Sequence, residues 1–295
     1  MNSYLYYPGC SLAGTAREYG QSTLAVLRRL GCEIPELDDW TCCGASSAHS
    51  LDHRLGLALA ARNLALAEAQ GRGLLTPCAA CYSRLAAAWH GVRQGGEVAE
   101  WLREILGRPL EGTFRPRSLL EFLVVEIGSH EIARQAGVPL DGLKVACYYG
   151  CLLSRPAEWA IDDADNPQLM DGLLEELGAR AVPWAYKTEC CGSFLALART
   201  AVVFGLVERI VEAAREAGAD CLVTACPMCQ ANLDMRQRRG RPPLPIFYFT
   251  QLVGVSLGLA PEVLGLDRHI IPGLPLLRER NLVSGPVGLR ERLLR

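Results

Sequence analysis

Long apolar runs, lysines and an excess of charge of one sign are all scarce in this 295-residue sequence. No stretch reaches the ~20 uninterrupted apolar residues that a membrane-spanning helix needs, so we expect no such helix. The N-terminus lacks a basic segment followed by an apolar one, so we expect no secretory signal and a cytoplasmic protein. A formal net charge of −2 gives no reason to expect a nucleic-acid partner. Only Lys144 and Lys187 are lysines among the 30 basic residues, a bias that concerns the source of the chain more than its mechanism.

Motifs of common cofactor sites are missing as well. No GxGxxG motif follows a predicted strand and no glycine-rich phosphate loop is present, so neither a flavin nor a nicotinamide cofactor is expected to bind this chain. The C-x₂-C-x₂-C-x₃-C-P run of ferredoxin-type cubane clusters is also absent. Redox chemistry in this protein would therefore need another kind of site.

Cysteine, by contrast, is abundant, with 13 residues. In a reducing cytoplasm a disulfide framework is not expected, and cysteines at this density more often bind metal or carry out redox chemistry. The odd number also argues against simple pairing. The cysteines are therefore the first candidates for a functional site.

Most of the cysteines belong to two copies of one pattern. Each copy has a single cysteine after two tyrosines, then a Cys-Cys-Gly triplet, then a Cys-x-x-Cys pair, and the triplet and the pair recur at the same displacement of 148 residues. We align Tyr6-Tyr7-Pro8-Gly9-Cys10 with Tyr148-Tyr149-Gly150-Cys151, with one extra proline in the first copy. The ends of the copies also match, SLLEFLVVEIG (118–128) with YFTQLVGVSLG (248–258). The chain therefore contains an internal duplication.

Each copy alternates short apolar runs with amphipathic stretches, which predicts an α/β fold. We expect two pseudo-symmetric domains, 1–135 and 136–295, each a small, mostly parallel sheet covered by helices, with a linker near 128–143. Sites in such folds lie at the carboxyl ends of the strands. The predicted strands are 4–7, 74–76, 144–149 and 222–224. The predicted helical stretches are 17–30, 48–70, 166–177 and 194–217.

Five cysteines in each copy leave two kinds of metal site to be weighed. Structural zinc takes four ligands, one fewer than each copy offers. Adjacent cysteines in an extended segment point to opposite sides, so a vicinal pair serves one small ion poorly. A larger multi-iron cluster can use both members of the pair. The pattern therefore favours an iron–sulfur cluster other than a standard four-cysteine cubane, with zinc as the alternative.

The doubled pattern resembles the CCG domain, and its arrangement resembles the B subunit of heterodisulfide reductase. The segments YYPGCSL, TCCGAS, CYYGCLLSRP and ECCGS carry this resemblance, which covers nearly the whole chain. It implies two noncubane [4Fe–4S] clusters, each held by five cysteines, that face a shared cavity where a disulfide is split into two thiols. The ligands implied by position are Cys10, Cys42, Cys43, Cys78 and Cys81 in the first copy, and Cys151, Cys190, Cys191, Cys226 and Cys229 in the second.

Three cysteines fall outside this set. Cys147 also precedes the second vicinal pair, but Cys151 aligns with Cys10 and Cys147 falls back onto the predicted strand. Cys147 stays the alternative or additional ligand. Cys32 and Cys221 have no cysteine counterpart in the other copy, and we interpret both as buried spectators.

The resemblance implies a catalytic subunit of a heterodisulfide reductase or of a related complex, including the reductase-like branch of sulfur-oxidising bacteria. The substrate would be the coenzyme M–coenzyme B disulfide or a sulfur-carrier analogue. Electrons would come from partners, a ferredoxin-like iron–sulfur subunit of the C type and a flavoprotein subunit of the A type. The alternatives are an electron-relay subunit of a membrane-associated dehydrogenase and a zinc-stabilised assembly module. The sequence leaves open the substrate, the direction of the reaction, the number of clusters present and the stoichiometry of the complex.

Several charged residues near the cysteines have a functional and a plain interpretation. His49 and His53 could share a helix face and give a proton to a departing thiolate, but a partly exposed helix surface is the favoured interpretation. Lys187 and Glu189 could meet an anionic substrate, although charged loop residues usually face water. Arg155 is a candidate anion contact. The basic run RQRRGR (236–241) could dock an acidic partner or simply be a solvated loop.

Overall fold

The computed structural model describes residues 3–238 and 240–284. Two short parallel sheets, one in each copy, form the frame of this part of the chain. The strands are β1 (Tyr4–Tyr6), β2 (Gly73–Thr76), β3 (Arg117–Ser118), β4 (Lys144–Tyr148), β5 (Arg180–Ala181), β6 (Cys221–Thr224) and β7 (Ile246–Tyr248). Their order is β1-β2-β3 in the first sheet and β5-β4-β6-β7 in the second. The predicted α/β class with two parallel sheets is confirmed.

Helices cover both sheets, and four of the thirteen cysteines lie within them. The first copy contains α1 (Gly9–Ala13), α2 (Arg17–Arg29), α3 (Ser47–Leu51), α4 (His53–Glu68), α5 (Ala79–Gln94), α6 (Gly96–Leu106), α7 (Leu119–Glu121) and α8 (Ser129–Arg134). A π-helical segment, Phe122–Gly128, joins α7 to α8. The second copy contains α9 (Cys151–Ser154), α10 (Leu169–Glu176), α11 (Thr200–Glu216), α12 (Pro227–Met235), α13 (Phe249–Ser256) and α14 (Leu274–Glu279), with short 3₁₀ turns at Ala157–Trp159 and Ser193–Leu195.

The register of the sheets shows how the two copies correspond. Tyr6 pairs with Leu75 in the first sheet, and Cys147 pairs with Val223 in the second. Leu75 and Val223 hold the same place in the repeat, so Cys147 is the counterpart of Tyr6. The two tyrosine–glycine–cysteine segments therefore align without a gap, and the extra proline that we inferred from the sequence is wrong. Cys151 remains the counterpart of Cys10.

The long stretch that follows each Cys-Cys-Gly triplet is broken rather than continuous. In the first copy the break is at Asp52, whose carboxylate accepts hydrogen bonds from the backbone N–H groups of Arg54 and Leu55. A side-chain acceptor at this position starts a new helix, because it satisfies donors that have no partner within the helix. In the second copy a 3₁₀ turn precedes α11. The predicted single helices over 48–70 and 194–217 are therefore too long at their N-terminal ends.

The two copies pack through helices near the end of each copy, which contact helices of the other copy. Helix α13 of the second copy packs on α2 of the first, and α7 and α8 of the first pack on α10 of the second. Every residue of α13 is buried, and the hydroxyls of Ser22 and Thr250 lie 2.7 Å apart within this contact. Such burial on all sides makes α13 part of the core that joins the copies.

The connection between the copies is partly helical. The predicted linker, 128–143, includes α8, which packs on α10. The strands of each sheet fall wholly within 1–135 or within 136–295, but the division into two domains at this position stays a prediction. Within the described ranges, no helix has the length and apolar character needed to cross a membrane.

Candidate metal centre

The first set of five cysteines converges at the carboxyl end of the first sheet. Cys10 lies on α1, directly after β1, while Cys78 caps the N-terminus of α5 and Cys81 lies in its first turn. Cys42 Sγ lies 3.8 Å from Cys10 Sγ, and Cys43 Sγ lies 3.3 Å from Cys81 Sγ. The two members of the vicinal pair thus have different sulfur partners, as the alternation of an extended segment predicts.

The second set repeats this arrangement. The sulfurs of Cys191 and Cys229 lie 3.5 Å apart, and Cys226 caps the N-terminus of α12. All five cysteines of the set line one narrow recess that is partly open to solvent. The cysteines that line it are Cys151, Cys190, Cys191, Cys226 and Cys229.

The two sets meet where the copies meet. Cys78 of the first set and Cys226 of the second lie close enough for each thiol to shift the pKa of the other. The phenol of Tyr19 lies beside them, 2.9 Å from the carbonyl oxygen of Pro77 and 3.2 Å from that of Ala225, the residues that precede these two cysteines. Ten thiols from distant parts of the chain are therefore gathered into two adjoining groups.

Glycines keep space clear around the sulfurs. Gly9 and Gly150 have φ angles of +68° and +65°, a region that side chains rarely adopt. A Cβ at Gly9 would lie 2.8 Å from Cys81 Sγ, and one at Gly150 would lie 3.3 Å from Cys229 Sγ. The backbone at Gly9 therefore approaches Cys81 Sγ more closely than a Cβ would permit, and the contact at Gly150 is tight.

Backbone donors are also directed at the sulfurs. The N–H of Gly44 donates to Cys42 Sγ at 3.4 Å, and the N–H of Gly192 donates to Cys190 Sγ at 3.3 Å. Hydrogen bonds of this kind stabilise thiolates and tune the potential of iron–sulfur clusters. The glycine of each Cys-Cys-Gly triplet thus has a defined role in the site.

The sulfur contacts also shift the acidity of the thiols. The hydrogen bond with Cys10 holds the pKa of Cys42 far below its usual range, and the hydrogen bond with Cys151 lowers the pKa of Cys190 to about 6. Each group therefore contains at least one thiol that is ready to act as a thiolate, the form that binds metals.

The sulfurs are grouped in pairs rather than around one point. In residues 3–238 and 240–284, no three His, Cys, Asp or Glu side chains are placed to hold a single metal ion. The separate partners of Cys42 and Cys43 suit a group with several metal atoms, because each thiol can then bind a different atom. The residues present fit an iron–sulfur cluster in each group.

Two tyrosines fix the loops that carry the vicinal pairs. The phenol of Tyr7 donates to the carbonyl of Thr41 at 2.7 Å, and that of Tyr148 donates to the carbonyl of Glu189 at 2.6 Å. Thr41 and Glu189 directly precede the pairs. Sequence reasoning noted the tyrosines only as markers of the repeat, and their matching positions were the signal that could have given them this role.

The three remaining cysteines lie outside both groups. Cys32, Cys147 and Cys221 are buried, and Cys147 and Cys221 lie on the adjacent strands β4 and β6. Burial raises the pKa of all three thiols. They are placed as core residues.

Lys187 is buried, so the expectation that it faces water is wrong. Its ammonium lies 2.7 Å from the carboxylate of Asp171 and donates to the carbonyl of Pro167 at 2.9 Å. The phenol of Tyr149 donates to the same carboxylate at 2.7 Å. Because an unpaired buried charge is very unfavourable, the pair must form for this loop to pack. Glu189 is exposed, as predicted.

His49 and His53 lie on different helices, α3 and α4, but their rings are in contact, with Nδ1 atoms 3.2 Å apart. Half-buried Arg84 places its Nη1 3.2 Å from His49 Nδ1. Sequence reasoning missed Arg84, which gave no motif signal. The two histidines do not share one helix, but they stand together near the first sulfur group, and His49 is half-buried and His53 exposed, in agreement with the favoured interpretation of a partly exposed surface.

The other charged candidates are exposed and paired. The Arg155 side chain is exposed and lies 3.9 Å from Asp165. In the basic run, Arg238 pairs with Glu208 at 2.7 Å, and Arg241 pairs with Glu212. Arg239 lies outside the described residues. These arginines are bound to this chain's own acids, which favours the interpretation of a solvated loop.

Known proteins share this fold and cysteine pattern. The cysteine-rich domain family, CCG, matches residues 4–86 and 145–234. The chain is 32% identical to the B subunit of the ferredoxin/F420H2-dependent CoB-CoM heterodisulfide reductase of Methanosarcina acetivorans, covering 96% of this chain and 98% of that protein. It is 31% identical to the 8-methylmenaquinol:fumarate reductase membrane anchor subunit of Wolinella succinogenes, covering 92% of this chain and 98% of that protein. The chain belongs to the duplicated CCG-domain family that includes the B subunit of heterodisulfide reductase.

One solved structure has the same fold. A hypothetical protein from Helicobacter pylori superposes with a TM-score of 0.71 at 15% sequence identity, over 92% of this chain. The chain spans about half of that protein, 52%. At this identity the likeness concerns the fold alone. The two curated relatives are reductase subunits, so an oxidoreductase role within a complex is supported for this chain.

Proposed function

We propose that this protein is the iron–sulfur catalytic subunit of a heterodisulfide reductase or reductase-like complex. The single observation that carries the proposal is the meeting of two five-thiol groups where the Tyr19 hydroxyl lies between the residues that precede Cys78 and Cys226. Two equivalent groups at one junction suit the two sulfurs of one disulfide. The proposed ligands are the ten cysteines of the two groups, with one noncubane [4Fe–4S] cluster in each.

The reaction takes up two electrons and two protons, breaks one S–S bond and gives two thiols; the reverse reaction forms the disulfide. The clusters, when bound, supply iron that captures sulfur and stores electrons. The chain itself holds the thiolates with N–H donors from Gly44 and Gly192 and clears space at Gly9 and Gly150. These features hold two cluster sites side by side.

Electrons have to reach the site from other subunits, since no nucleotide-binding motif was found in the sequence. We propose a ferredoxin-like iron–sulfur subunit and a flavoprotein subunit as partners. The thirteen cysteines are free thiols, which agrees with work in a reducing compartment such as the cytoplasm.

Anaerobic purification followed by iron, acid-labile sulfide and zinc analysis tests the cofactor. We expect about four iron and four sulfide per group and no stoichiometric zinc, as two [4Fe–4S] clusters require. Zinc at stoichiometric level with negligible iron would rule the proposal out.

Electron paramagnetic resonance (EPR) then tests the reaction. A signal that shifts when a thiol or disulfide is added supports direct binding at the clusters.

A second candidate function is that of an electron-relay subunit of a membrane-associated dehydrogenase. The observation in its favour is an exposed apolar patch after the second triplet, Leu195, Leu197 and Val202, with Leu197 98% exposed. The Wolinella relative is itself described as a membrane anchor subunit. Two results together would favour the relay. The protein should cosediment with phosphatidylglycerol vesicles, and Leu197→Ser should reduce this binding. The clusters should be intact, and their EPR signal should not change when a thiol is added.

A further inference from the structure

The two sulfur groups have unlike surroundings, although the chain repeats itself. We propose that the first group receives an anionic thiol arm, held by Arg84, and that the second receives an apolar arm, held by Phe194. The substrate would then be an unsymmetrical disulfide that binds in one orientation. This inference rests on the proposed function and deepens it, because it names the side chains that select each arm.

Arg84 provides a cation beside the first group. It lies on α5, the helix that carries Cys81, and it is close enough to Cys43 for the two to interact electrostatically. Its guanidinium contacts the His49 ring and forms no ion pair with any residue that the structure describes. A half-buried guanidinium without a carboxylate partner is well suited to bind an anion.

Apolar side chains surround the second group instead. Leu152, Phe194 and Met228 line the recess together with the five cysteines. Phe194 is 44% exposed, so its ring is available to a ligand. Apolar surface of this kind favours an aliphatic or aromatic arm, because contact removes it from water.

The difference between the two groups is found at matching positions of the repeat. We call the surroundings of the first sulfur group the first mouth and the recess of the second group the second mouth. The gap-free register and the 148-residue displacement pair each side chain of one mouth with its counterpart in the other. At the positions of Leu152, Phe194 and Met228 in the second copy, the first copy has a small or polar residue, and the position of its cation is an amide in the second copy. The pairs, first copy then second, are Ser11 and Leu152, Ser46 and Phe194, Ala80 and Met228, and Arg84 and Asn232.

The counterpart of Arg84 is also committed elsewhere. Asn232 donates through its side-chain amide to the carbonyl of Cys191 at 2.6 Å, so it supports the vicinal pair rather than facing a ligand. The second mouth thus has no replacement for the guanidinium at this position. At this pair of positions, a substrate arm bearing a carboxylate would have a charged partner at the first mouth and none at the second.

Swapping residues between the mouths tests the proposal. Full-length protein with its clusters is titrated with 3-mercaptopropionate, a short anionic thiol, and with 1-butanethiol, an apolar one, and EPR reports the dissociation constant. Loss of a charged hydrogen bond should weaken the mercaptopropionate response of Arg84→Asn by about tenfold or more, with butanethiol within about twofold. Phe194→Ser should weaken butanethiol by about fivefold and leave mercaptopropionate unchanged.

Arg84→Lys, which keeps the charge, should restore most of the mercaptopropionate response, whereas a loss of packing alone would not be restored. Iron content and circular dichroism show that each variant is folded and loaded. Equal effects of Arg84→Asn and Phe194→Ser on both thiols, or no effect on either, would overturn this inference while the proposed function stands. If neither thiol perturbs the wild-type signal, the proposed function itself fails.

Discussion

Tyr19 and Tyr248 stack face to face across the junction of the two copies, with ring centroids 4.1 Å apart and ring planes within 2° of parallel. Both rings are fully buried. Tyr19 also holds its hydroxyl between the carbonyls that precede Cys78 and Cys226. The stacked pair therefore braces the point at which the two sulfur groups meet.

Removal of the Tyr19 hydroxyl at this junction should destabilise the folded protein. Tyr19→Phe keeps the stacked ring but removes the hydroxyl hydrogen that the buried carbonyls of Pro77 and Ala225 share, so we expect a loss of about 1–3 kcal/mol in the free energy of unfolding. Tyr248→Phe is the matched control. Its hydroxyl makes longer contacts, 3.4 Å to Glu18 and 3.3 Å to Gln230. Tyr248→Phe should therefore lose less free energy of unfolding than Tyr19→Phe. Urea unfolding measures both, and equal losses would contradict this account.

The choice between Cys147 and Cys151 can be settled by iron content. Cys151→Ala should lose about half of the bound iron, because it removes a ligand from one of two sites. Cys147→Ala should keep full iron, since this buried thiol lies on β4 among core residues. Its cost should be limited to the packing of one small side chain. Full iron in Cys151→Ala together with loss in Cys147→Ala would reverse the assignment.

A methyl group at Gly9 should block the first site. Gly9→Ala would place a Cβ 2.8 Å from Cys81 Sγ, so we expect loss of about half of the iron in addition to backbone strain of about 1–2 kcal/mol. Gly31→Ala is the control, because Gly31 also has a positive φ, +73°, but nothing lies within 4 Å of the position that its methyl group would take. That variant should show the strain in its unfolding curve and retain all its iron.

The buried pair of Lys187 and Asp171 should behave as a unit. Lys187→Met leaves a buried carboxylate without its partner, so we expect a loss of about 3–5 kcal/mol in the free energy of unfolding. Adding Asp171→Leu should recover a large part of that loss, because the double variant buries no charge. A double-mutant cycle by chemical denaturation measures the coupling. Additive losses would show that the two side chains do not act on each other.

Acid should lower the free energy of unfolding through His269. Burial lowers the pKa of this histidine, so the folded state stays unprotonated while the unfolded chain takes up a proton below its ordinary pKa of about 6.5. Stability is therefore unaffected above that pH and falls as the pH drops below it, by at most about 1.4 kcal/mol per pH unit. Melting curves at about pH 7.5 and 5.5 should show a smaller fall for His269→Gln than for the wild type. An equal fall would place the acid sensitivity elsewhere.

Part of the structure follows from the sequence because it is local. The strands that end just before Cys78 and Cys226 were predicted from short apolar runs, and their carboxyl ends were predicted to carry the sites. The separate sulfur partners of Cys42 and Cys43 follow from the alternation of extended backbone. The helix break at Asp52 was missed, although its capping chemistry was present in the sequence.

The sequence by itself determined the duplication, the parallel α/β architecture and the ten cysteines proposed as ligands, because spacing and periodicity are properties of the chain. Only the tertiary structure decided that Cys78 meets Cys226, that Lys187 is buried against Asp171 and that Arg84 stands beside His49. Each of these pairs joins residues on different elements, and the way elements pack depends on shape and burial over the whole molecule. A repeat in sequence thus indicated two matching sites, whereas packing decided which of the side chains that differ between the copies stand beside the sulfurs.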